Sequence, residues 1–404
     1  MAKVQPFRAI RPTRDKVHLF ATRSFLTYSK ATIKDKLKNN PYTFLHIINP
    51  DSKKKIKQGV EKYKLVKKKF DDFQKSGFLI KDKDESFYIY KQEHESRKFE
   101  GIIAACSIDD YRKGVIKAHE KTIEKRKNIF TEYLENTCFN ADPVLLCYKK
   151  QDKINKIISK VKKYQAEYDF TTTNKVRHQL WKIDNSVDID LICKSFSKIN
   201  NIYIADGHHR IASSENLATN KIDSKRPNLN FFMSLLITDN QLNIISFNRL
   251  IKNINDLDSK EFIKRIKKTY IVNKCSSINP KDESQIRMYI NKTLYNLKPK
   301  NGSYKEDCVN SLETSILSNN ILSPILGIKD ERTDTNISFV SGKISIKEIK
   351  EQVDNGNYEV AFILNPITIE AIKQVADKGK IMPPKSTYIE PKLRSGIIIY
   401  PLDQ

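Results

Sequence analysis

The sequence is poor in glycine, with 11 glycines in 404 residues. It contains neither Gly-x-x-x-x-Gly-Lys-Ser/Thr nor Gly-x-Gly-x-x-Gly, so the two common nucleotide-binding loops are missing. It also lacks the Gly-x-Ser-x-Gly elbow of serine hydrolases. His208 and His209 are adjacent and are not spaced as His-x-x-x-His, which argues against a zinc hydrolase.

Cysteine pairs and long apolar runs are missing as well. The six cysteines are scattered and none forms Cys-x-x-Cys, so we expect reduced thiols and no disulfide framework or zinc ribbon. No stretch approaches the roughly 18 consecutive apolar residues of a membrane span. The first residues lack the apolar core of a signal peptide. These absences predict a soluble, cytoplasmic protein without a membrane partner.

Negative charge is in short supply, since 73 Lys and Arg face 48 Asp and Glu and give a net charge of +25. The lysines are spread along predicted helix faces and interleaved with Asn and Ile, which is typical of compositional drift. There is no Arg-aromatic-Gly run, no RNP-like strand and no separate helix-turn-helix pattern. Specific nucleic-acid binding is therefore not expected, and a functional basic face is the alternative.

What the chain does contain is enough apolar and aromatic residues for a globular protein of two or three domains. Apolar periodicity predicts strands at 42–48, 78–108, 143–148, 202–205, 229–237, 242–247 and 397–400, and helices at 59–75, 109–136, 153–167 and 211–218. This mixed order predicts the α+β class. We predict an N-terminal α+β region at 1–110, a catalytic core at 111–255 and a C-terminal α+β region at 256–404.

The most informative stretch is Asp206-Gly207-His208-His209-Arg210. An apolar run precedes it and a helical pattern follows it, so it occupies a strand, a glycine turn and a helix start. In such a place, backbone N–H groups and the helix dipole can face an anion. A carboxylate, two imidazoles and a guanidinium on five consecutive residues predict a functional site. A charged surface turn without chemistry is the alternative.

A second cluster, His119-Glu120, falls within the predicted helix 109–136. Neighbouring helical residues lie about 100° apart, so the imidazole and the carboxylate cannot share one face. Either the two side chains flank a site, or the segment is a loop before a helix that starts near Thr122. Glu120 as an ordinary solvated carboxylate is the alternative.

A third cluster, Lys385-Ser386-Thr387, lies among three prolines in a loop that closes the C-terminal region. Such a rigid polar loop can present an ammonium and hydroxyls to phosphate. An ordinary turn before a final strand is the alternative. His178 and Trp181 are predicted to shape the substrate pocket, although core packing is the competing role for Trp181.

These clusters resemble known families. The pattern His119-Glu120, Arg126, Pro143-Val144 and Asp206-Gly207-His208-His209-Arg210 is similar to that of free serine kinases of the ParB/sulfiredoxin-like superfamily. That resemblance covers about residues 117–216, and 1–110 and 255–404 have no obvious counterpart in the small kinases. Nearly the whole chain resembles the family called domain of unknown function 1015. The segments that carry this second resemblance are Pro6-Phe7-Arg8-Ala9-Ile10-Arg11-Pro12, His119-Glu120-Lys121-Thr122, His178-x-Leu180-Trp181, Ala205 to Arg210 and Met382-Pro383-Pro384-Lys385-Ser386-Thr387-Tyr388.

The kinase resemblance implies a ParB/sulfiredoxin-like central domain and phosphoryl transfer between a nucleotide and the hydroxyl of free serine. In that chemistry, Gly207 lets a phosphate approach the backbone and Arg210 binds its oxygens. His208 and His209 donate hydrogen bonds to the transferring phosphoryl group. Asp206 holds Mg²⁺ or orients one of the histidines.

Glu120 is then the general base toward the substrate hydroxyl, and His119 beside it is assigned to the nucleotide phosphates. The predicted function is a nucleotide-dependent phosphotransferase that acts on free serine or O-phosphoserine, with ATP or ADP and with Mg²⁺ as a candidate cofactor. The chief alternative is a ParB-like nucleotide-dependent DNA-binding or regulatory protein.

Overall fold

A computed structural model describes residues 1–50, 59–95, 97–221, 225–275 and 286–403. The chain forms two compact units. The first comprises Met1–Ala118, Thr122–Leu242 and Pro391–Gln404, and the second comprises His119–Lys121 and Asn243–Glu390. The C-terminal segment therefore returns to the unit that holds the N-terminus.

The helices of the described residues are numbered in chain order. They are α1 (Val17–Phe20), α2 (Lys30–Asn39), α3 (Leu45–Ile48), α4 (Val60–Lys75), α5 (Ile108–Arg112), α6 (Glu124–Thr137), α7 (Asp152–Val161), α8 (Ser186–Phe196), α9 (His208–Asn220), α10 (Ser259–Ile266), α11 (Glu313–Leu317), α12 (Ile346–Asp354) and α13 (Ile369–Asp377). Single 3₁₀ turns lie at Phe25–Thr27, Pro227–Asn230 and Asp239–Gln241, and a π-helical turn at Ser318–Leu322 follows α11.

The strands of the described residues are numbered in the same way. They are β1 (Val4–Gln5), β2 (Ile10–Pro12), β3 (Leu79–Lys81), β4 (Phe87–His94), β5 (Arg97–Ser107), β6 (Ile116–Lys117), β7 (Phe139–Asn140), β8 (Val144–Tyr148), β9 (Tyr168–Thr171), β10 (Arg177–Ile183), β11 (Ile202–Asp206), β12 (Phe231–Thr238), β13 (Asn243–Ile245), β14 (Phe247–Ile251), β15 (Tyr270–Lys274), β16 (Ile286–Ile290), β17 (Thr293–Pro299), β18 (Ile337–Ser341), β19 (Val360–Ile363), β20 (Tyr388–Glu390) and β21 (Tyr400–Pro401).

The core of the first unit is a mixed sheet in the order β6-β11-β8-β12-β5-β4-β10-β9, with β1 paired to β5. The pairs β11–β6 and β12–β8 are parallel and the others are antiparallel. The central strands β8 and β12 are buried along their whole length, as expected for near-continuous apolar runs covered on both faces. The apolar faces of α7, α8 and α9 pack against this sheet.

The second unit has an antiparallel sheet in the order β15-β17-β16-β19-β14-β18, and β13 pairs with β20. Its core joins the sheet to α10, α11 and the π-helical turn. α12 begins with a full capping box, in which Ser345 and Glu348 satisfy each other's backbone N–H groups. Helices and strands therefore mix in both units, and the predicted α+β class is confirmed.

Most predicted elements are present, but two predictions were wrong. The helix predicted at 109–136 is interrupted, because Gly114 takes a φ of +71° and β6 follows it in parallel pairing with β11. The strand predicted at 42–48 contains α3 instead, since a short apolar run does not distinguish a buried helix from a strand by periodicity alone. The predicted basic amphipathic helix is confirmed as α4, whose buried face carries Tyr63, Val66 and Phe70.

Two further expectations concern the whole chain. No helix within the described ranges is long and apolar enough to cross a membrane. The six cysteines, all within the described residues, are not joined in disulfides; Cys106 and Cys147 are buried and the others are half-buried. The three-part division at residues 110 and 255 stays a prediction, and strands from both sides of residue 110 lie in the sheet of the first unit.

Candidate functional site

The turn between β11 and α9 has a geometry that requires glycine. β11 is buried through Ile204, and its register with β8 then shifts before Asp206, which marks a β-bulge. Bulges re-aim the side chains that follow them and are frequent beside active sites. Gly207 caps α9 with a φ of +105°, and a Cβ there would lie 2.9 Å from Nε of Arg210. The backbone conformation therefore disfavours a larger residue, and a Cβ would also displace the Arg210 side chain.

Asp206 is held between two cations, and we call Asp206, Arg210 and Lys392 the ion cluster. Nη2 of Arg210 donates to Oδ2 of Asp206 at 3.1 Å, and Nζ of Lys392 lies 3.5 Å from Oδ1. Nη1 of Arg210 donates to the carbonyl of Pro143 at 2.6 Å. Burial opposes ionisation of Asp206, but the charges of Arg210 and Lys392 outweigh it, so the pKa of this carboxyl is lowered.

The ion cluster is partly exposed. The exposed fractions of the side chains are 40% for Asp206, 26% for Arg210 and 42% for Lys392, so an anion in solution can reach them. Both carboxylate oxygens of Asp206 face cations, and this arrangement suits an anionic ligand better than Mg²⁺. Mg²⁺ binding by Asp206 stays a prediction that the geometry does not favour.

The two histidines of the turn have different surroundings. His208 is 4% exposed, and burial lowers its pKa to about 4 although Asp206 acts in the opposite direction. It is therefore neutral at pH 7. Nε2 of His209 accepts a hydrogen bond from the backbone N–H of Ile123 at 3.0 Å, at the N-cap of α6. His209 thus carries its proton on Nδ1 and helps to fix the start of α6.

His178 lies on β10 of the same unit, in a buried polar chain. Its Nε2 accepts from Nε of Arg394 at 3.2 Å, and its Nδ1 lies 2.7 Å from the hydroxyl of Tyr90. Burial, together with the charge of Arg394, lowers the pKa of His178 to about 3. Trp181 packs in the core and its indole N–H donates to the carbonyl of Tyr164 at 3.1 Å, which favours the packing role for this residue.

His119 and Glu120 belong to the second unit and lie in a loop that ends before α6. The loop alternative of the sequence analysis is therefore the observed one. His119 is fully buried, and its carbonyl accepts from the N–H of Met382 at 2.9 Å. The His-Glu segment thus lies beside the proline-rich loop of the same unit.

In that proline-rich loop, one of the residues predicted to bind phosphate makes hydrogen bonds within the protein. The Ser386 side chain is buried; its hydroxyl donates to the carbonyl of Pro383 at 2.7 Å and lies 3.3 Å from the hydroxyl of Thr314. Lys385 is exposed, with a φ of +54° and its Nζ 5.2 Å from the centre of the Phe247 ring. Thr387 is half-buried. Phosphate binding by these three residues stays a prediction.

The structure brings the five residues of the Asp206 turn together and adds Lys392, which the sequence analysis did not select. The signal in the sequence is weak: Lys392 and Arg394 stand two residues apart, directly after the proline-rich loop. Neither periodicity nor a known motif identifies their partners. The contacts of Lys392 with Asp206 and of Arg394 with His178 join residues far apart in the chain.

Three solved structures illustrate what the chain is similar to. One is a free serine kinase mutant in complex with AMP, at 15% identity and a TM-score of 0.40, covering 73% of this chain and 91% of that one. SbnI with a C-terminal truncation from Staphylococcus aureus gives 12% identity, a TM-score of 0.40 and coverages of 74% and 87%. A conserved hypothetical protein from Pyrococcus furiosus gives 15% identity, a TM-score of 0.38 and coverages of 74% and 96%.

At the level of sequence, the chain matches one family and no curated protein. The match covers residues 4–315, which include β1 through β17 and the whole Asp206 turn. That span is more than half of the chain. The chain belongs to the family described as "Protein of unknown function (DUF1015)".

Proposed function

We propose that this protein is a nucleotide-dependent phosphotransferase that moves a phosphoryl group between a nucleotide and the side-chain oxygen of a small hydroxy amino acid, with free serine and O-phosphoserine as the two forms of that substrate. The observation that carries the proposal is the ion cluster at the start of α9, where two cations share one carboxylate. Its formal charge is positive, because the two cations Arg210 and Lys392 face the single carboxylate of Asp206. The positive end of the helix dipole adds to this preference for an anion.

The phosphate of a nucleotide fits this arrangement. The absence of a Cβ at Gly207 lets the Arg210 guanidinium pack beside the turn, and this guanidinium matches phosphate oxygens in geometry and charge. Phosphoryl transfer depends mainly on positioning and on neutralising charge, which are the two properties that this turn supplies. Bound Mg²⁺ would neutralise further charge on the phosphates.

In the proposed reaction, Glu120 accepts the proton of the serine hydroxyl. The serine oxygen forms a bond to the terminal phosphorus of ATP or ADP, and the bond from that phosphorus to the bridging oxygen breaks. Its electron pair stays on the departing ADP or AMP. The order of His119-Glu120, Arg126, Pro143-Val144 and the Asp206 turn, which is similar to that of free serine kinases, supports this assignment.

A nucleotide-dependent DNA-binding function is the second candidate. One observation favours it, which is a shallow surface groove along α7. Four lysines line this groove: Lys150, Lys156, Lys160 and Lys163. Lysines that track a surface are the usual footprint of phosphate-backbone binding. Lys160, however, pairs with Asp188 at 2.9 Å, so part of this charge is neutralised within the protein.

The decisive experiment measures phosphoserine by mass spectrometry after incubation of the protein with serine, Mg²⁺ and either ATP or ADP. We expect phosphoserine with at least one nucleotide and an equal amount of ADP or AMP. Threonine and homoserine in place of serine test the substrate class. If all three amino acids leave the nucleotide unchanged, the proposed function is rejected.

A Glu120→Gln variant tests the proposed base. Removal of a positioned base should lower turnover by roughly 10²–10⁴, while nucleotide affinity and folding stay near normal. Titration calorimetry with ADP and the phosphoserine assay measure the two quantities separately. If affinity collapsed together with turnover, Glu120 would be a binding group and its assignment as base would be wrong.

A further inference from the structure

We propose that Lys392 binds phosphate in this site, and that residues 391–396 are anchored so as to hold its ammonium there. This inference rests on the proposed function and adds a residue outside the motifs from which that function was predicted. The ligand class is the phosphate or diphosphate end of a nucleotide.

The Lys392 ammonium lies beside the carboxylate that Arg210 also contacts. Nζ of Lys392 and Nη2 of Arg210 approach the two different carboxylate oxygens of Asp206. The Lys392 contact of 3.5 Å is longer than the roughly 2.7–2.9 Å of a charge-assisted hydrogen bond. An anion bound at Arg210 is therefore close to this ammonium as well, because both cations contact one carboxylate.

The segment after Lys392 is fixed by several hydrogen bonds. The backbone of Ser395 exchanges hydrogen bonds with that of Thr22 at 2.9 and 3.2 Å. The N–H of Gly396 donates to the carbonyl of Ala141 at 3.1 Å, and the hydroxyl of Ser395 donates to Asp142. The segment is therefore attached to residues 141–142.

The same stretch also holds the other cation. Pro143 follows Asp142 directly, and its carbonyl accepts from Nη1 of Arg210. Residues 141–143 thus fix both Arg210 and the segment that carries Lys392. A short stretch that places two cations around one carboxylate is what a preorganised anion site requires.

A third anchor lies between Lys392 and Ser395. Nε of Arg394 donates to the buried His178, and its Nη2 donates to Oδ1 of Asn174 at 2.8 Å. His178 is held in turn by Tyr90. His178, which the sequence predicts to shape the substrate pocket, is by this geometry a positioning residue that acts through Arg394.

Stability alone does not account for this construction. Asp206 and Lys392 are about two-fifths exposed, and exposed ion pairs contribute little to the free energy of unfolding. A ligand-binding role explains why the segment that carries a half-exposed lysine is held by several anchors within a few residues.

The experiment compares Lys392→Met with the wild-type protein and with a matched control, Lys198→Met. Lys198 is exposed in the first unit and precedes β11 at the end opposite Asp206. Titration calorimetry measures affinity for ADP, ATP and inorganic pyrophosphate at fixed ionic strength. We expect a loss of roughly 10- to 100-fold in Lys392→Met, none in Lys198→Met, and partial recovery in Lys392→Arg.

The outcomes separate this inference from the proposed function. Pyrophosphate binding that disappears in Lys392→Met, without phosphoserine formation by the wild-type protein, supports Lys392 and rejects the kinase reaction. Phosphoserine formation with unchanged affinity and turnover in Lys392→Met rejects Lys392 alone. If the wild-type protein binds neither pyrophosphate nor nucleotide, both fail. Lys392→Gln, which keeps a polar side chain, replaces Lys392→Met if the latter does not fold.

Discussion

Asp206 draws its two cationic partners from different parts of the chain. Arg210 lies four residues after Asp206, in the first turn of α9, whereas Lys392 lies in the C-terminal segment. Arg210 also contacts the carbonyl of Pro143, so one guanidinium spans two acceptors. The planar fork of arginine holds both acceptors in a fixed geometry, which the point charge of a lysine ammonium does not reproduce.

Replacing Arg210 with lysine therefore tests geometry at constant charge. We expect Arg210→Lys to weaken ADP binding by about 10- to 150-fold, because losing a hydrogen bond to a charged group costs about 1.5–3 kcal/mol. Arg177→Lys is the control, since Arg177 makes a bidentate pair with Asp169 on the exposed part of β10. Calorimetry with ADP measures the effect, and wild-type affinity in Arg210→Lys would show that Arg210 serves only Asp206 and Pro143.

His178 makes the free energy of unfolding depend on pH. Its pKa is about 3 in the folded protein and about 6.5 in the unfolded chain, so below pH 6.5 the unfolded state binds the extra proton. The free energy of unfolding then falls as pH falls from 6.5 toward 3, by up to about 1.4 kcal/mol per pH unit from this group. His208, with a pKa of about 4, adds a loss of the same sign.

We predict that His178→Gln loses less stability between pH 6.5 and 5 than the wild-type protein does. Urea unfolding followed by fluorescence measures this, because Trp181 is the single tryptophan and lies three residues from His178 on β10. His18→Gln, at an exposed position of α1, is the control and should keep the wild-type slope. Equal slopes in His178→Gln and wild type would contradict the assignment of a neutral, buried His178.

At the scale of the element, the β11–α9 connection depends on Gly207. The backbone at Gly207 has a positive φ, and a residue with a Cβ adopts such a conformation at a cost of about 1–2 kcal/mol. The added Cβ would also contact the Arg210 side chain. We expect Gly207→Ala to lower both the melting temperature and the affinity for ADP. Gly77→Ala is the matched control, because Gly77 has a φ of +77° and a Cβ added there would meet nothing within 4 Å. It should lower the melting temperature alone, and unchanged ADP affinity in Gly207→Ala would contradict the proposed site.

The same connection shows how far sequence reasoning reaches. An apolar run, Asp-Gly and a helical pattern are local signals, and they predict β11, the turn and α9. The helix was predicted from residue 211, whereas α9 begins three residues earlier, at His208. The predicted helix 109–136 failed because β6 is formed by pairing with β11, a contact that the local pattern does not contain. Lys392 was missed for the same reason, since only the fold brings it to Asp206.

At the scale of the whole molecule, the candidate residues are divided between the two units. The Asp206 turn and Lys392 belong to the first unit, and His119, Glu120 and the proline-rich loop belong to the second. The second unit takes only three residues, His119–Lys121, from the N-terminal half of the chain. The predicted domains are continuous stretches of sequence. Each unit of the structure instead combines segments that are separated in the sequence, which continuous boundaries cannot describe.

The net charge of +25 is also a property of the whole molecule, and it separates the two candidate functions. A chain of this charge attracts any polyanion, and the lysines along α7 form an exposed contact surface. Binding of this kind is indifferent to base sequence. It weakens steeply with salt, because each neutralised phosphate contributes a log–log slope of roughly −0.9.

We therefore predict weak duplex binding that disappears near about 200 mM salt and is the same with and without nucleotide. Fluorescence anisotropy with a mixed-sequence duplex, between about 50 and 200 mM salt, measures it. Glu120→Gln should bind the duplex as the wild-type protein does, because the removed carboxylate serves a hydroxyl and not a phosphate backbone. Tight binding that survives at about 200 mM salt and changes with ATP or CTP would reject the small-molecule kinase and favour a ParB-like clamp. An effect of nucleotide on DNA affinity means that the two binding sites are coupled.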